Sequence, residues 1–115
     1  MPISILEPAI ELSSFEIRVD WEDEQGNSTA PDTMTWTLHD IDNQVINDRE
    51  AETIAVPAAT ELLFLEGLDL EIFGKDPVKR FVTFEGTYTS PVHGAGKPLR
   101  DVVDFTINPL TFKTP

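Results

Sequence analysis

The chain has 115 residues, 21 acidic and 8 basic side chains for a formal charge of −13, and no cysteine. That length holds one domain of ordinary size, and the missing thiols exclude a disulfide framework, a thiolate metal centre and a cysteine nucleophile. The negative charge opposes a non-specific grip on nucleic acid or on an anionic membrane surface.

The first residues, MPISILEPAIELSS, lack the basic start of a secretory signal, and Glu7, Pro8 and Glu11 interrupt what would have to be its apolar centre. Synthesis in the cytoplasm without signal-directed export is expected, with residues 1–13 peripheral to the domain. No apolar run approaches the roughly 20 residues that span a bilayer, so no membrane partner is expected.

From Ser14 to Glu22 the sequence SFEIRVDWE alternates Phe15, Ile17, Val19 and Trp21 with Glu16, Arg18, Asp20 and Glu22. A period of two predicts a strand with one wet face. Asp23 to Asp32, DEQGNSTAPD, is a surface connection by its Gly, Asn, Ser and Pro. MTWTLHD then places Met34, Trp36 and Leu38 on one face, with His39 turned outward beside Asp40. Asp40, Asp42 and Asn43 read as a polar hairpin turn, and the VIN that follows, Val45 to Asn47, reads as the start of a return strand. REAETIAVP adds a short extended segment carrying Ile54 and Val56.

Residues 59–72, ATELLFLEGLDLEI, suit helix by their Ala, Glu and Leu content, yet LLFL equally fits a strand packed on both faces. The short run and Gly67 favour a strand from Glu61 to Leu65. After a turn at KDP, KRFVTFEGTYTS directs Val82, Phe84 and Tyr88 to one side if Gly86 lies in register or at a bulge, leaving Phe81 outward. PVHGAGKP, Pro91 to Pro98, reads as a long polar loop. In LRDVVDFTI, Leu99, Val103, Phe105 and Ile107 share a side, and residues 108–115 are expected to be peripheral.

About seven short strands with little helix imply an all-β domain spanning 1–115. An immunoglobulin-like or fibronectin type III-like antiparallel sandwich is the expected form, with Trp36 in its core.

Catalytic and cofactor motifs are scarce. Counting from Asp40, Gln44 and Val45 fall where a calcium loop needs a ligand and its glycine. GAGKP lacks the spacing and following hydroxyl of a phosphate loop, and His39 and His93 cannot supply a three-histidine zinc site. No cofactor and no catalytic residue are assigned. Asp20, Glu22 and Glu24 share one strand face and are weak candidates for a hydrated divalent-cation site, a solvated acidic edge being the better account of them. If Leu63 and Leu65 face the core, Leu62 and Phe64 face out, or the reverse. Leu62 and Phe64 join Phe81 as the candidate contact surface unless a neighbouring loop or the N-terminal ILEPAIEL covers it. His93 and Lys97, in the Pro91 to Pro98 loop, complete the candidate interaction residues.

The succession FEIRVDWEDEQG, TWTLHDIDNQVIN, LLFLEGLDL, KRFVTFEGTYTS and PLRDVVDFTI resembles small structural proteins of tailed bacteriophages and prophages. The resemblance implies a non-catalytic accessory or assembly component, incorporated into a virion and acting through contacts with other proteins or with its own copies. Two other functions fit the acidic residues. One is a nucleic-acid mimic that inhibits a basic protein through Asp20, Glu22, Asp23, Glu24, Asp40 and Asp42; the other is a calcium-assisted ligand-binding module.

Overall fold

The computed structural model describes residues 8–110. Its described residues form seven strands: β1 (Ala9–Ile10), β2 (Ser14–Asp20), β3 (Thr33–His39), β4 (Glu52–Thr53), β5 (Thr60–Glu66), β6 (Val78–Ser90) and β7 (Gly94–Asn108). A 3-10 helix, Gly67–Leu70, is the one helical element among them. The protein is therefore all-β, as its two-residue periodicity requires.

Five strands make one sheet in the order β1-β7-β6-β3-β4, and β2 pairs with β5 in a second. β1 runs parallel to β7, and the remaining pairings are antiparallel. Each long strand turns alternate residues inward. Ile17, Val19, Leu63 and Leu65 from the small sheet join Met34, Trp36, Leu38, Val82, Phe84, Val103, Phe105 and Ile107 from the large one in a single buried cluster. Phe15 stacks on Phe105 at 4.9 Å, and Trp21 meets Phe84 edge-on at 5.6 Å. These contacts cross from one sheet to the other. Residues 59–72, ambiguous by composition, resolve into β5 followed by the 3-10 turn, because Leu63 and Leu65 pack inward at strand spacing.

Gly86 sits in register opposite Met34 and Leu99. A Cβ there would lie 2.0 Å from the Thr33 carbonyl oxygen, so only glycine allows β3 to approach β6 this closely. The irregularity of the β6–β7 hairpin falls instead between Tyr88 and Ser90.

Four expectations need correction. The loop expected from Pro91 to Pro98 shrinks to a turn at its first residues, because β7 begins at Gly94 and pairs back to Ser90. Ser90 Oγ accepts the Val92 and His93 N–H groups at 3.2 and 2.9 Å, and Gly94 takes a φ of 86°. The return strand expected at Val45 to Asn47 is a single bridge from Val45 to His39, after which Asn47, Asp48 and Ala51 adopt positive φ and break the extended path. Val56, expected in an extended run with Ile54, is 83% exposed beyond the two-residue β4.

The N-terminal stretch expected to be peripheral contributes β1. Glu11 beside it is 1% exposed, its carboxylate accepting the Ile72 N–H at 3.3 Å and the Leu110 N–H at 3.1 Å. One buried acid thus joins the chain's entry, the exit of the 3-10 turn and the end of β7. The rest of both expected peripheral segments, residues 1–7 and 111–115, lies outside the described residues.

Candidate functional site

Hydrogen bonds at its two ends set the phase of the β2–β5 ladder. Trp21 N–H donates to Ala59 O at 2.8 Å, and Gly67 N–H to Ser13 O at 3.0 Å. Hydrogen-bonded pairs alternate in an antiparallel ladder, so Glu61, Leu63 and Leu65 direct their backbone groups at β2. Thr60, Leu62, Phe64 and Glu66 direct theirs away from it. The same residues carry the outward side chains. Leu62 is 58% and Phe64 54% exposed, while Leu63 and Leu65 are buried. The open orientation for Leu62 and Phe64 is thereby settled, and Pro8 to Leu12 lead to β7 rather than across them.

Around this apolar centre the two strands carry Glu16, Asp20, Glu61 and Glu66 against one cation, Arg18. Arg18 Nε is 3.3 Å from Asp20 Oδ1. The Thr60 hydroxyl donates to the same oxygen at 2.8 Å and, with Arg18, holds the Asp20 carboxyl below its usual range. Beyond Glu66 an open hollow of about 510 Å³ is bordered by Leu12, Arg49 and Leu68, of which the two leucines are exposed.

The base of β5 is fixed by Asp69, which is 1% exposed. It accepts hydrogen bonds from Arg49 Nε at 2.9 Å, Asn47 Nδ2 at 2.8 Å and the Glu66 N–H at 3.2 Å. Burial alone would raise its pKa, but these three donors outweigh burial and hold the carboxyl below the ordinary value. The positive φ angles at 47, 48 and 51 belong to the bend that delivers Asn47 and Arg49 to this acid.

The other sequence-derived candidates lie elsewhere. Phe81 is half-buried on the outer face of the large sheet, on the opposite layer from Leu62 and Phe64, and stacks on His39 at 5.7 Å. His93 is exposed in the β6–β7 turn, and Lys97 stands opposite Tyr88 on β7. The five interaction candidates therefore occupy three separate places.

Asp20, Glu22 and Glu24 do not converge. The Asp20 carboxylate is taken up by Thr60 and Arg18, the Glu22 backbone forms a bridge with Ser28, and the Glu24 carboxylate accepts the Tyr88 hydroxyl at 2.9 Å. Among the described residues no three acidic or histidine side chains are grouped to hold a metal ion. The neighbouring Asp23 caps its own turn by accepting the Gln25 and Asn27 N–H groups. Asp40 does the same for Asp42 and Gln44, which makes its segment the polar turn its composition suggests.

Two features escape sequence reading. His39 Nδ1 lies 2.9 Å from the Asp40 carbonyl and Nε2 2.7 Å from Thr83 Oγ1. A carbonyl only accepts, so Nδ1 carries the proton and, in the neutral ring, Nε2 accepts from the threonine. The pair joins residues 44 positions apart, which no local pattern announces. The second is Arg80, 5% exposed on the inner face of β6, where it donates to the Lys79 and Glu71 carbonyls while its Nε meets no partner. Burial pushes its pKa down, partly opposed by the Asp40 charge.

No protein-family model, curated protein or solved structure matches the chain.

Proposed function

We propose that the protein is a non-catalytic interaction module on an immunoglobulin-like frame, an assembly or accessory component that works by surface contact with other proteins. The frame is supported by strand order. With β2 and β5 as strands B and E, and β3, β6 and β7 as C, F and G, β4 takes the C′ place beside C and Trp36 lies on strand C. β1, the first strand, lies along G. The resemblance to structural proteins of tailed bacteriophages supplies the setting, a virion or its assembly.

The observation that carries the reading is the exposed pair Leu62 and Phe64, standing on a strand whose alternate residues are locked into the core. Exposed apolar side chains on a rigid element suit a contact that orders little on binding. The acidic-mimic alternative is less well served, since Asp20, Glu22 and Glu24 precede β3 while Asp40 and Asp42 follow it, at opposite ends of a seven-residue strand.

Sedimentation velocity tests this, with the protein alone over a concentration range and then mixed with the products of neighbouring genes. A complex that weakens at least about tenfold in Leu62→Thr/Phe64→Thr, with the fold retained, is expected. A complex indifferent to that change, or none with any neighbour, would refute the assignment.

A further inference from the structure

A sheet edge is a row of unpaired backbone groups, and the edges of this molecule differ in how they are protected. The five-stranded sheet ends in β1 and β4, each two residues long, and β1 covers β7 only at Ile107 and Asn108. The rest of the β7 edge is guarded by charge, with Arg100, Asp101 and Asp104 along it and the Val102 N–H taken by the Asp101 carboxylate at 2.8 Å. In the small sheet both strands are edges, and both are seven residues long. The groups that β2 turns away from β5 belong to Ser14, Glu16, Arg18 and Asp20, whose side chains are polar or charged. Charge on an edge strand is a standard deterrent to strand addition. The corresponding residues of β5 are Thr60, Leu62, Phe64 and Glu66, all exposed. Of these four, Glu66 has its N–H taken by Asp69. The middle of the edge, at Leu62 and Phe64, carries no charge.

We infer that β5 is the docking edge, and that its occupant is an extended segment of another protein which adds as a third strand to the β2–β5 sheet, with apolar residues at its centre and basic residues flanking them. This deepens the contact reading above and rests on it. In the immunoglobulin frame the edge of strand E is where a further strand, D, pairs, and among the described residues the small sheet stops at β5. An added strand would satisfy the Leu62 and Phe64 backbone groups and lay its own apolar side chains beside theirs, the usual division between main-chain affinity and side-chain selectivity.

Charge selects the partner. β2 and β5 together present four carboxylates and one guanidinium, and that guanidinium is engaged with Asp20. Arg49, near the Glu66 end, is held by Asp69 and Glu52. With the whole chain at −13, a second copy would bring further like charge to this edge, whereas a strand with lysine or arginine at its ends meets Glu66 on β5 at one end and lies one strand away from Asp20, across Thr60, at the other.

The test is amide hydrogen exchange by NMR on the intact protein. The probe is a capped peptide with lysine at both ends and alternating valine and threonine between them. Its addition is expected to slow exchange at Leu62 and Phe64 at least about tenfold while leaving the already bonded Leu63 unchanged. A peptide of the same centre with glutamate ends should bind at least about tenfold more weakly. Leu62→Pro, which deletes one edge N–H, should abolish the protection, whereas Leu62→Thr, which keeps that N–H, should only weaken it.

Binding that is sensitive to Leu62→Thr/Phe64→Thr but protects neither amide would overturn strand addition and leave the contact reading intact. Equal protection by the glutamate-ended peptide would overturn the charge assignment. Protection that grows with protein concentration alone would replace the foreign strand with a second copy. Failure of the lysine-ended peptide to bind at all would overturn the inference.

Discussion

The two sheets are built from similar alternating sequences but are exposed differently. The large sheet has short ends, and its longest strands, β6 and β7 at 13 and 15 residues, are paired with each other. The small sheet has two full-length strands and, among the described residues, no strand beyond either. The open edge of the large sheet, along β7, carries Arg100, Asp101 and Asp104, whereas the middle of the β5 edge is uncharged. Stability should reside in what lies between the layers, and recognition on the outside of the smaller one.

The sharpest way to break that division is to truncate an aromatic on each side of it. Phe84, fully buried beneath Trp21, should cost about 4 kcal/mol as Phe84→Ala in urea unfolding. Phe64→Ala should cost no more than about 0.5 kcal/mol while clearly weakening partner binding. Equal costs would mean that Phe64 is part of the core. Gly86→Ala probes the close approach of β3 to β6, because its new methyl would meet the Thr33 carbonyl. A loss of about 3 kcal/mol is expected by the same measurement, the upper range for overpacking.

Asp69→Ala should remove about 2 kcal/mol, less than a fully buried pair costs because Arg49 keeps access to water. The sign of its pH dependence follows from the lowered pKa. The ionised acid favours the fold, so the contribution is complete above 3.8, the ordinary aspartate value, and is lost as pH falls through the lower folded-state value. Asp69→Asn should flatten that part of the acid-denaturation curve. The smallest effect, and one of opposite sign, is expected at Arg80. Its burial without a bonded carboxylate is costly, so Arg80→Met should raise stability by about 1 kcal/mol, read as a melting temperature several degrees higher.

The parts of this architecture that could be read from sequence are those where side-chain burial dictates backbone. Strands β2, β3, β5 and the first part of β6 alternate wet and dry residues, and the inward positions of the second half of β7 follow the same rule. Where backbone bonding dominates, patterning fails. Gly94 to Pro98 contain no apolar alternation, yet they form a ladder with β6 because the turn at Ser90 sets their register. Val45 to Asn47 look extended, but the pull of Asp69 on Asn47 and Arg49, 22 and 20 residues away, bends the chain instead.

The candidate site was legible to the same degree. Its residues Leu62 and Phe64 follow from the alternation of LLFL, but the choice of outward face and the bareness of the β5 edge depend on what lies across from it. Outward apolar character grouped Phe81 with Leu62 and Phe64, although it belongs to the other layer. Sequence proximity grouped Asp20, Glu22 and Glu24, which a turn and two side-chain partners hold apart.

Hydrogen exchange across β5 in the free protein tests the central claim most directly. Leu63 and Leu65 amides, bonded to β2, should exchange only through opening of the sheet, whereas those of Leu62 and Phe64 should exchange at least about a hundredfold faster. Uniform slow exchange from Leu62 to Leu65 would show that the edge is already covered and would contradict the account.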